Sequence, residues 1–264
     1  MKDVLIGTGI LSFIALFIYA IVKEGRKQKK EQSFFFKKLA DRRGWKYKEE
    51  DDGTVQRLAQ NFEGIGVFSS PSLGKMIPRN VVLGRTKVGR CCLFEHYTRI
   101  YEGYAMKWFA CVVESQNDLG GSFVVQSRGK AGTITDNFYT GQKISIADDW
   151  AKGFRLYLND KAPKKEMLPM GTLQKLFQEM ANLPWRIDMQ VKKDRLAVYP
   201  SSRNFQLKSV QELERLIEFS QIAVNILILK SLLKDAYFGL VREIQLRLIL
   251  SFVTRRTRKK KKSQ

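Results

Sequence analysis

One histidine, His96, and three cysteines, Cys91, Cys92 and Cys111, are all that this 264-residue chain offers for metal or thiol chemistry. Zinc and most transition-metal centres draw on His and Cys at short, regular spacings. No such spacing occurs, so no metal and no cofactor is expected. The cysteines are an odd set, and two are adjacent, which points them to opposite faces of a strand. They fit reduced, structural thiols of a cytoplasmic compartment rather than a disulfide framework. Glycine-rich phosphate loops and nucleophile elbows are also missing: there is no G-x-x-x-x-G-K-[ST], G-x-G-x-x-G or G-x-S-x-G. The Gly/Lys turns Ser72–Lys75 and Arg128–Gly132 could receive a phosphate but lack motif spacing. His96 follows Glu95, yet neighbours in a strand cannot readily pair, so a structural histidine is expected. The acid pairs Asp51-Asp52 and Asp148-Asp149 read as turn and cap carboxylates before they read as a divalent-cation site. With only six prolines, no linker rich in Pro or Ser and no repeat stand out. No catalytic residue emerges, and the chain is not expected to be an enzyme.

What is present begins at the N-terminus. Val4 to Val22, VLIGTGILSFIALFIYAIV, is a 19-residue run without charge. As a helix it reaches ~28 Å, close to the hydrocarbon thickness of a bilayer. A cleaved signal peptide would need a shorter apolar core and a small-x-small site after it. A buried core helix is the other alternative. Lys23, Arg26, Lys27, Lys29 and Lys30 follow the run and only Lys2 precedes it. The positive-inside bias then puts the N-terminus outside and residues 23–264 in the cytoplasm of a single-pass inner-membrane protein.

Net charge is +21, and the first 30 and last 14 residues hold 11 of it. The body is only mildly basic, which argues against a broad nucleic-acid face. The tail residues Arg255, Arg256, Arg258, Lys259, Lys260, Lys261 and Lys262 have no acidic counterpart. Such a run repels itself and stays solvated. Beside anionic lipid headgroups each residue can contribute ~1 kcal/mol of attraction. RNA phosphates are the less favoured partner.

With 44% hydrophobic and 28% charged residues, the body reads as globular. Glu31 to Arg43 continues the first helix, and Gly44 ends it. Trp45 to Lys48 alternates as a strand, Asp51-Asp52-Gly53 turns, and Thr54 to Phe62 can form a short helix. Val81–Thr86 and Arg90–Thr98 flank a hairpin turn at Lys87-Val88-Gly89. Tyr104–Glu114 is apolar on both faces, as a central strand would be. Its aromatic and basic residues, with Tyr97, Arg99, Tyr101, Tyr104, Lys107 and Trp108, suit cross-strand packing more simply than base stacking. Ser122–Ser127 and Gly153–Leu158 are strands, and Gly129–Gln142 is a loop. Leu173, Leu176, Phe177 and Met180 stripe a helix opened by Gly171 and Thr172 and stopped by Pro184. Trp185 to Val191 and Leu196 to Tyr199 alternate about a Lys193-Asp194 turn. Ser209-Val210-Gln211-Glu212 is a capping box opening a long C-terminal helix. Beyond it, residues 236–262 resemble a basic amphipathic segment, with a coiled-coil arm as the rival.

Several of these pieces occur together in one family. Leu39-Ala40-x-x-x-Gly44-Trp45, Asn80-Val81-Val82-Leu83-Gly84 leading to Leu93-Phe94-Glu95, Phe154-Arg155-Leu156-Tyr157 and Trp185-Arg186-Ile187 resemble bacterial single-pass, membrane-anchored proteins with an uncharacterised cytoplasmic α+β domain. There an N-x-x-x-G hairpin runs into an F-D-x-x-Y strand, and Glu95 stands here in place of the Asp. The resemblance spans about residues 35–220 and implies topology without catalytic residues. The basic C-terminus departs from it.

The expected fold class is therefore α+β: an N-terminal transmembrane helix, then a mostly antiparallel sheet with flanking helices and a long C-terminal helix. Residues 1–30 form the anchor and basic flank, 31–230 the cytoplasmic domain, and 231–264 an amphipathic helix with a polybasic tail. A division of the body near residue 145 is the alternative. The expected role is a binding or scaffolding module with an unknown protein partner.

Overall fold

The computed structural model describes residues 2–60, 62, 76–99, 105–127, 142–158, 169–201 and 205–229. It is an α+β fold. Helix α1 (Lys2–Arg43) leads into β1 (Lys46–Glu50) and α2 (Thr54–Gln60), followed by β2 (Met76–Thr86), β3 (Gly89–Arg99), β4 (Ala105–Ser115) and β5 (Ser122–Ser127). Then come β6 (Gln142–Ile144), a 3₁₀ turn (Asp149–Ala151), β7 (Phe154–Leu158), α3 (Met170–Ala181), β8 (Ile187–Lys192) and β9 (Arg195–Pro200). A last helix, α4, covers 210–229. The strands make one nine-stranded sheet in the order β1-β2-β3-β4-β9-β8-β5-β7-β6, and every pairing in it is antiparallel.

The alternation of side chains along the strands divides the molecule into two faces. Leu93, Phe109, Cys111, Val125, Leu156, Met189 and Val198 point to the first face. There they pack with Phe36, Leu39 and Ala40 of α1, Leu173 and Phe177 of α3, and Leu213, Ile217 and Val224 of α4. Cys92, Phe94, Val112, Ala197 and Tyr199 point to the second, under Val55 and Phe62. Burying Phe36 and Leu39 contributes about 2 kcal/mol each, which holds the end of the helix on the sheet.

Helix α1 stops where the sequence demands it. Gly44 takes φ +63°, Trp45 N–H donates to Ala40 O at 2.8 Å, and Gly44 N–H donates to Asp41 O at 3.3 Å. This is a Schellman cap, and the left-handed residue at its centre is why glycine stands there. The cap aims Trp45 at Gly84, where an added Cβ would lie 2.0 Å from the indole. Two glycines separated by forty residues thus fix one tryptophan.

Three expectations change. Gln142, the last residue of the expected loop, instead opens a strand, Gln142–Ile144; at three residues it is too short to show a period. Trp185 precedes β8 instead of opening it, and it packs on Phe205 at 5.6 Å between ring centres. The Glu212 carboxylate accepts from Lys208 N–H at 2.6 Å, one residue before the N–H a capping box would supply. Among the described residues no helix is long and apolar enough to cross a membrane. The side chains of residues 1–15, where the apolar run begins, lie outside that description.

Candidate functional site

Three polar groupings sit inside this frame. The first lies under α1. Strand β2 carries a bulge between Arg79 and Val82, and Asn80 within it adopts φ +49°, a conformation Asn tolerates better than most residues. The bulge turns the Asn80 amide inward. Its Nδ2 donates to Glu95 Oε2 at 2.6 Å, and its Oδ1 accepts from Tyr47 Oη at 2.8 Å. Asn80 and Glu95 are both buried. Burial raises the Tyr47 pKa first and Glu49 second, the hydrogen bond with Ser33 of α1 opposes them, and Glu95 adds a smaller upward push. Residues that the sequence offered as separate fragments thus become one hydrogen-bonded chain, from the sheet interior to the first helix.

The second grouping is the thiols. Cys91 and Cys92 point to opposite faces, as adjacent strand residues should. The register brings Cys91 beside Cys111, Sγ to Sγ 3.5 Å, both buried. The hydrogen bond with Cys111 and burial together push the Cys91 thiol well above its usual range, and the same hydrogen bond pulls Cys111 the other way. Burial is the main cause of the rise at Cys92. A proton shared between two buried sulfurs is a packing contact, not an exposed thiolate.

The third was not visible in the sequence. Asp188, Gln190 and Gln126 are buried on the second face. Asp188 faces Tyr199, Gln126 faces Arg155, and the Val125–Met189 pair sets Gln126 next to Asp188. Asp188 Oδ1 accepts from Ser127 N–H at 3.0 Å, Tyr157 Oη reaches Gln126 Oε1 at 3.2 Å, and Gln190 Nε2 donates to Phe62 O at 3.4 Å. Strand β8 alternates as though Asp188 and Gln190 met water, and they do not. No signal in the local sequence reveals that cover.

The remaining candidates resolve simply. His96 is buried on the second face, its ring centre 6.4 Å from that of Phe94, and burial holds its pKa down at about 3. It is neutral at any physiological pH. Asp51 caps α2, accepting from Val55 N–H at 3.0 Å and Gln56 N–H at 3.2 Å. Asp52 pairs with Lys48 and accepts from Thr54 Oγ1 at 2.6 Å, and these contacts hold its carboxyl well below the usual range. Asp148 caps the 3₁₀ turn without a side-chain bond, and Asp149 pairs with Lys152 at 2.8 Å. Among the described residues no cluster of three His, Cys, Asp or Glu could hold a metal. The turns at Ser72–Lys75 and Arg128–Gly132 and the tail residues Arg255–Lys262 lie outside the described residues. So do the side chains of the aromatic-basic run from Tyr97 to Trp108.

A small recess, about 70 Å³, opens between α2 and strands β2–β4. Leu58, Leu83 and Val112 supply its apolar wall, and Thr54, Arg90 and Glu114 its polar groups. Glu114 is shared by two guanidinium groups, Arg195 Nη2 at 2.7 Å and Arg90 Nη1 at 3.3 Å. No family model, curated protein or solved structure matches the chain.

Proposed function

We propose that this is a single-pass membrane protein: Val4–Val22 crosses the bilayer with the N-terminus outside, and the α+β domain works on the cytoplasmic side as a binding or scaffolding module. The observation that carries this reading is the continuity of α1. One helix of 42 residues joins the apolar run to the stripe packed on the sheet. At its described positions the apolar part is bare, with Leu16 67%, Phe17 61% and Tyr19 64% exposed. Large apolar side chains exposed together on one turn want a non-aqueous neighbour, and a bilayer suits a run flanked by five cations. The polybasic tail, Arg255 to Lys262, then contacts anionic headgroups and orients the domain more than it retains it. The likeness to bacterial membrane-anchored proteins belongs to the same proposal.

Alkaline carbonate extraction of membranes holding the full-length chain is the test. The chain should stay in the pellet, and protease added to intact cells should leave the domain uncut. Release into the supernatant, or digestion from outside, would overturn anchoring or orientation respectively.

A further inference from the structure

Outside the apolar run of α1, the large apolar side chains exposed among the described residues are Phe34, Met170, Ile222 and Leu229. All but Met170 belong to α1 and α4. Along α4 the exposed stripe reads Gln211, Arg215 and Glu218, then Ile222 and Leu229, with Ile226 partly buried between the last two. Steps of three and four keep these residues on one side of the helix. The stripe is therefore polar where α4 begins and apolar where its described part ends.

Two contacts fix the direction of α4. Phe36 of α1 stacks on Phe109 at 6.0 Å. Seven residues later Arg43 lies over Trp45 at 5.3 Å, beside Gly84. Gly84 faces Cys91 and Cys91 faces Val113, so α1 climbs along β4 from Phe109 to Val113, away from its apolar run. Arg42 at the top of that climb pairs with Glu214 at 3.4 Å. Six residues on, Ser220 hydrogen-bonds Cys111, lower on β4. Helix α4 thus descends antiparallel to α1. Run the other way, it would put Glu214 ~9 Å below Cys111 and out of reach of Arg42. Counting residue for residue from that ion pair, Ile222 is level with Phe34 and Leu229 with Lys27. Leu229 then lies ~8 Å above Val22 along α1, and Ile222 ~18 Å. The headgroup layer is ~5–8 Å deep, and a tilt of ~20°, ordinary for a single span, lowers Leu229 into it.

We propose that the last turns of α4, around Ile226 and Leu229, rest in the headgroup layer as a second, apolar contact between the domain and the bilayer, which rests on the reading of Val4–Val22 as the anchor. The surrounding charge selects lipid over a second copy of the chain. Lys23, Lys27, Lys29 and Lys30 of α1 are exposed near the same level, and residues 23–30 hold one acid, Glu24. Apolar side chains ringed by cations suit anionic lipid. Two copies joined through this end of α4 would bring two such lysine sets together, and the like charges would repel.

The test uses the full-length chain, one copy per nanodisc of equal phosphatidylcholine and phosphatidylglycerol. An environment-sensitive fluorophore is attached through Leu229→Cys, Ile222→Cys or, as the solvent reference, Gln211→Cys. All three positions are exposed and the native thiols are buried, so labelling is selective and the fold is kept. Two quenchers report the surroundings, a lipid with a nitroxide on its headgroup and acrylamide in the water. The label at position 229 should lose about half its emission to the nitroxide lipid and be about twofold less open to acrylamide than the label at 211, with 222 between them. Shielding from acrylamide without nitroxide quenching means that protein covers the patch, and overturns the proposal. A label at 229 as open to acrylamide as the one at 211 also overturns it. If carbonate releases the labelled chain from membranes, anchoring fails and this contact fails with it. Retention in the pellet together with either adverse quenching result overturns the contact alone.

Discussion

Acidification should destabilise this domain through a single side chain. His96 is the chain's one histidine, 3% exposed on β3, with Pro78 and Trp108 as its cross-strand neighbours. Burial lowers its pKa from 6.5 to about 3 in the folded state. The unfolded chain returns it to near 6.5. Above that value both states are neutral and the group contributes no pH dependence. Between 6.5 and 3 the unfolded chain binds a proton that the folded chain refuses, so stability falls as pH falls. At pH 5 the loss is about 1.5 decades of proton binding, or ~2 kcal/mol. Ordinary carboxylates titrate mostly below pH 5, which leaves the histidine to dominate between pH 7 and pH 5. For a domain of this size ~2 kcal/mol lowers the melting temperature by about 4–8 °C. Thermal unfolding of the full-length chain in detergent, followed by tryptophan fluorescence at pH 7 and pH 5, measures the drop. His96→Gln should remove the difference between the two pH values whatever it does to stability at either. An equal drop in parent and variant would refute the assignment.

Two substitutions probe the packing that fixes the first helix. Gly84→Ala drives a Cβ to 2.0 Å from the Trp45 ring, so the indole must leave its place, at roughly 3 kcal/mol. In a Trp45→Ala background the same change should cost under about 1 kcal/mol, and equal costs in the two backgrounds would refute the contact. Asn80→Ala removes the amide between Glu95 and Tyr47, should cost about 3 kcal/mol, and leaves alanine at φ +49°. Asn80→Gly loses the same hydrogen bonds without that strain and should melt at a higher temperature than Asn80→Ala; the reverse order would refute the role of the backbone.

Much of the fold was legible because its signals are local. The strand periods of β3, β4, β5 and β9, the stripe on α3 and the glycine that stops α1 each depend on a few neighbouring residues, and each stands where the pattern put it. Sheet order was not legible. That β9 inserts between β4 and β8 follows from packing among residues far apart in sequence, which no period encodes. The polar contacts divide in the same way. Asp51 is a cap set by the next five residues, and it was read correctly. Asn80 with Glu95, Cys91 with Cys111 and Asp188 beside Gln126 all depend on cross-strand register. The fragments Asn80–Gly84 and Leu93–Glu95 marked both ends of the Asn80–Glu95 hydrogen bond without revealing that they meet. The charged residues Arg85, Arg90, Glu114, Lys192 and Arg195, which neighbour one another across five strands, escape for the same reason: they are spread over 111 positions of a mildly basic body, and only the register aligns them.

On the proposed anchoring, α1 solves two solvation problems with one helix. Val4–Val22 is apolar all round, as lipid requires. From Gln32 onward burial falls on one stripe, Gln32, Phe36, Leu39 and Ala40, as a sheet requires. Residues 23–30 between them are polar or charged except for glycine, and they suit the headgroup layer. No proline interrupts Lys2–Arg43, so no kink is built in between the two environments. The far end is clamped twice, by the Schellman cap at Gly44 and by Trp45 on Gly84. A helix held at both ends transmits orientation. The domain then presents one end of its sheet toward the lipid and the opposite end, with Arg85, Lys87 and Arg90, toward the cell interior.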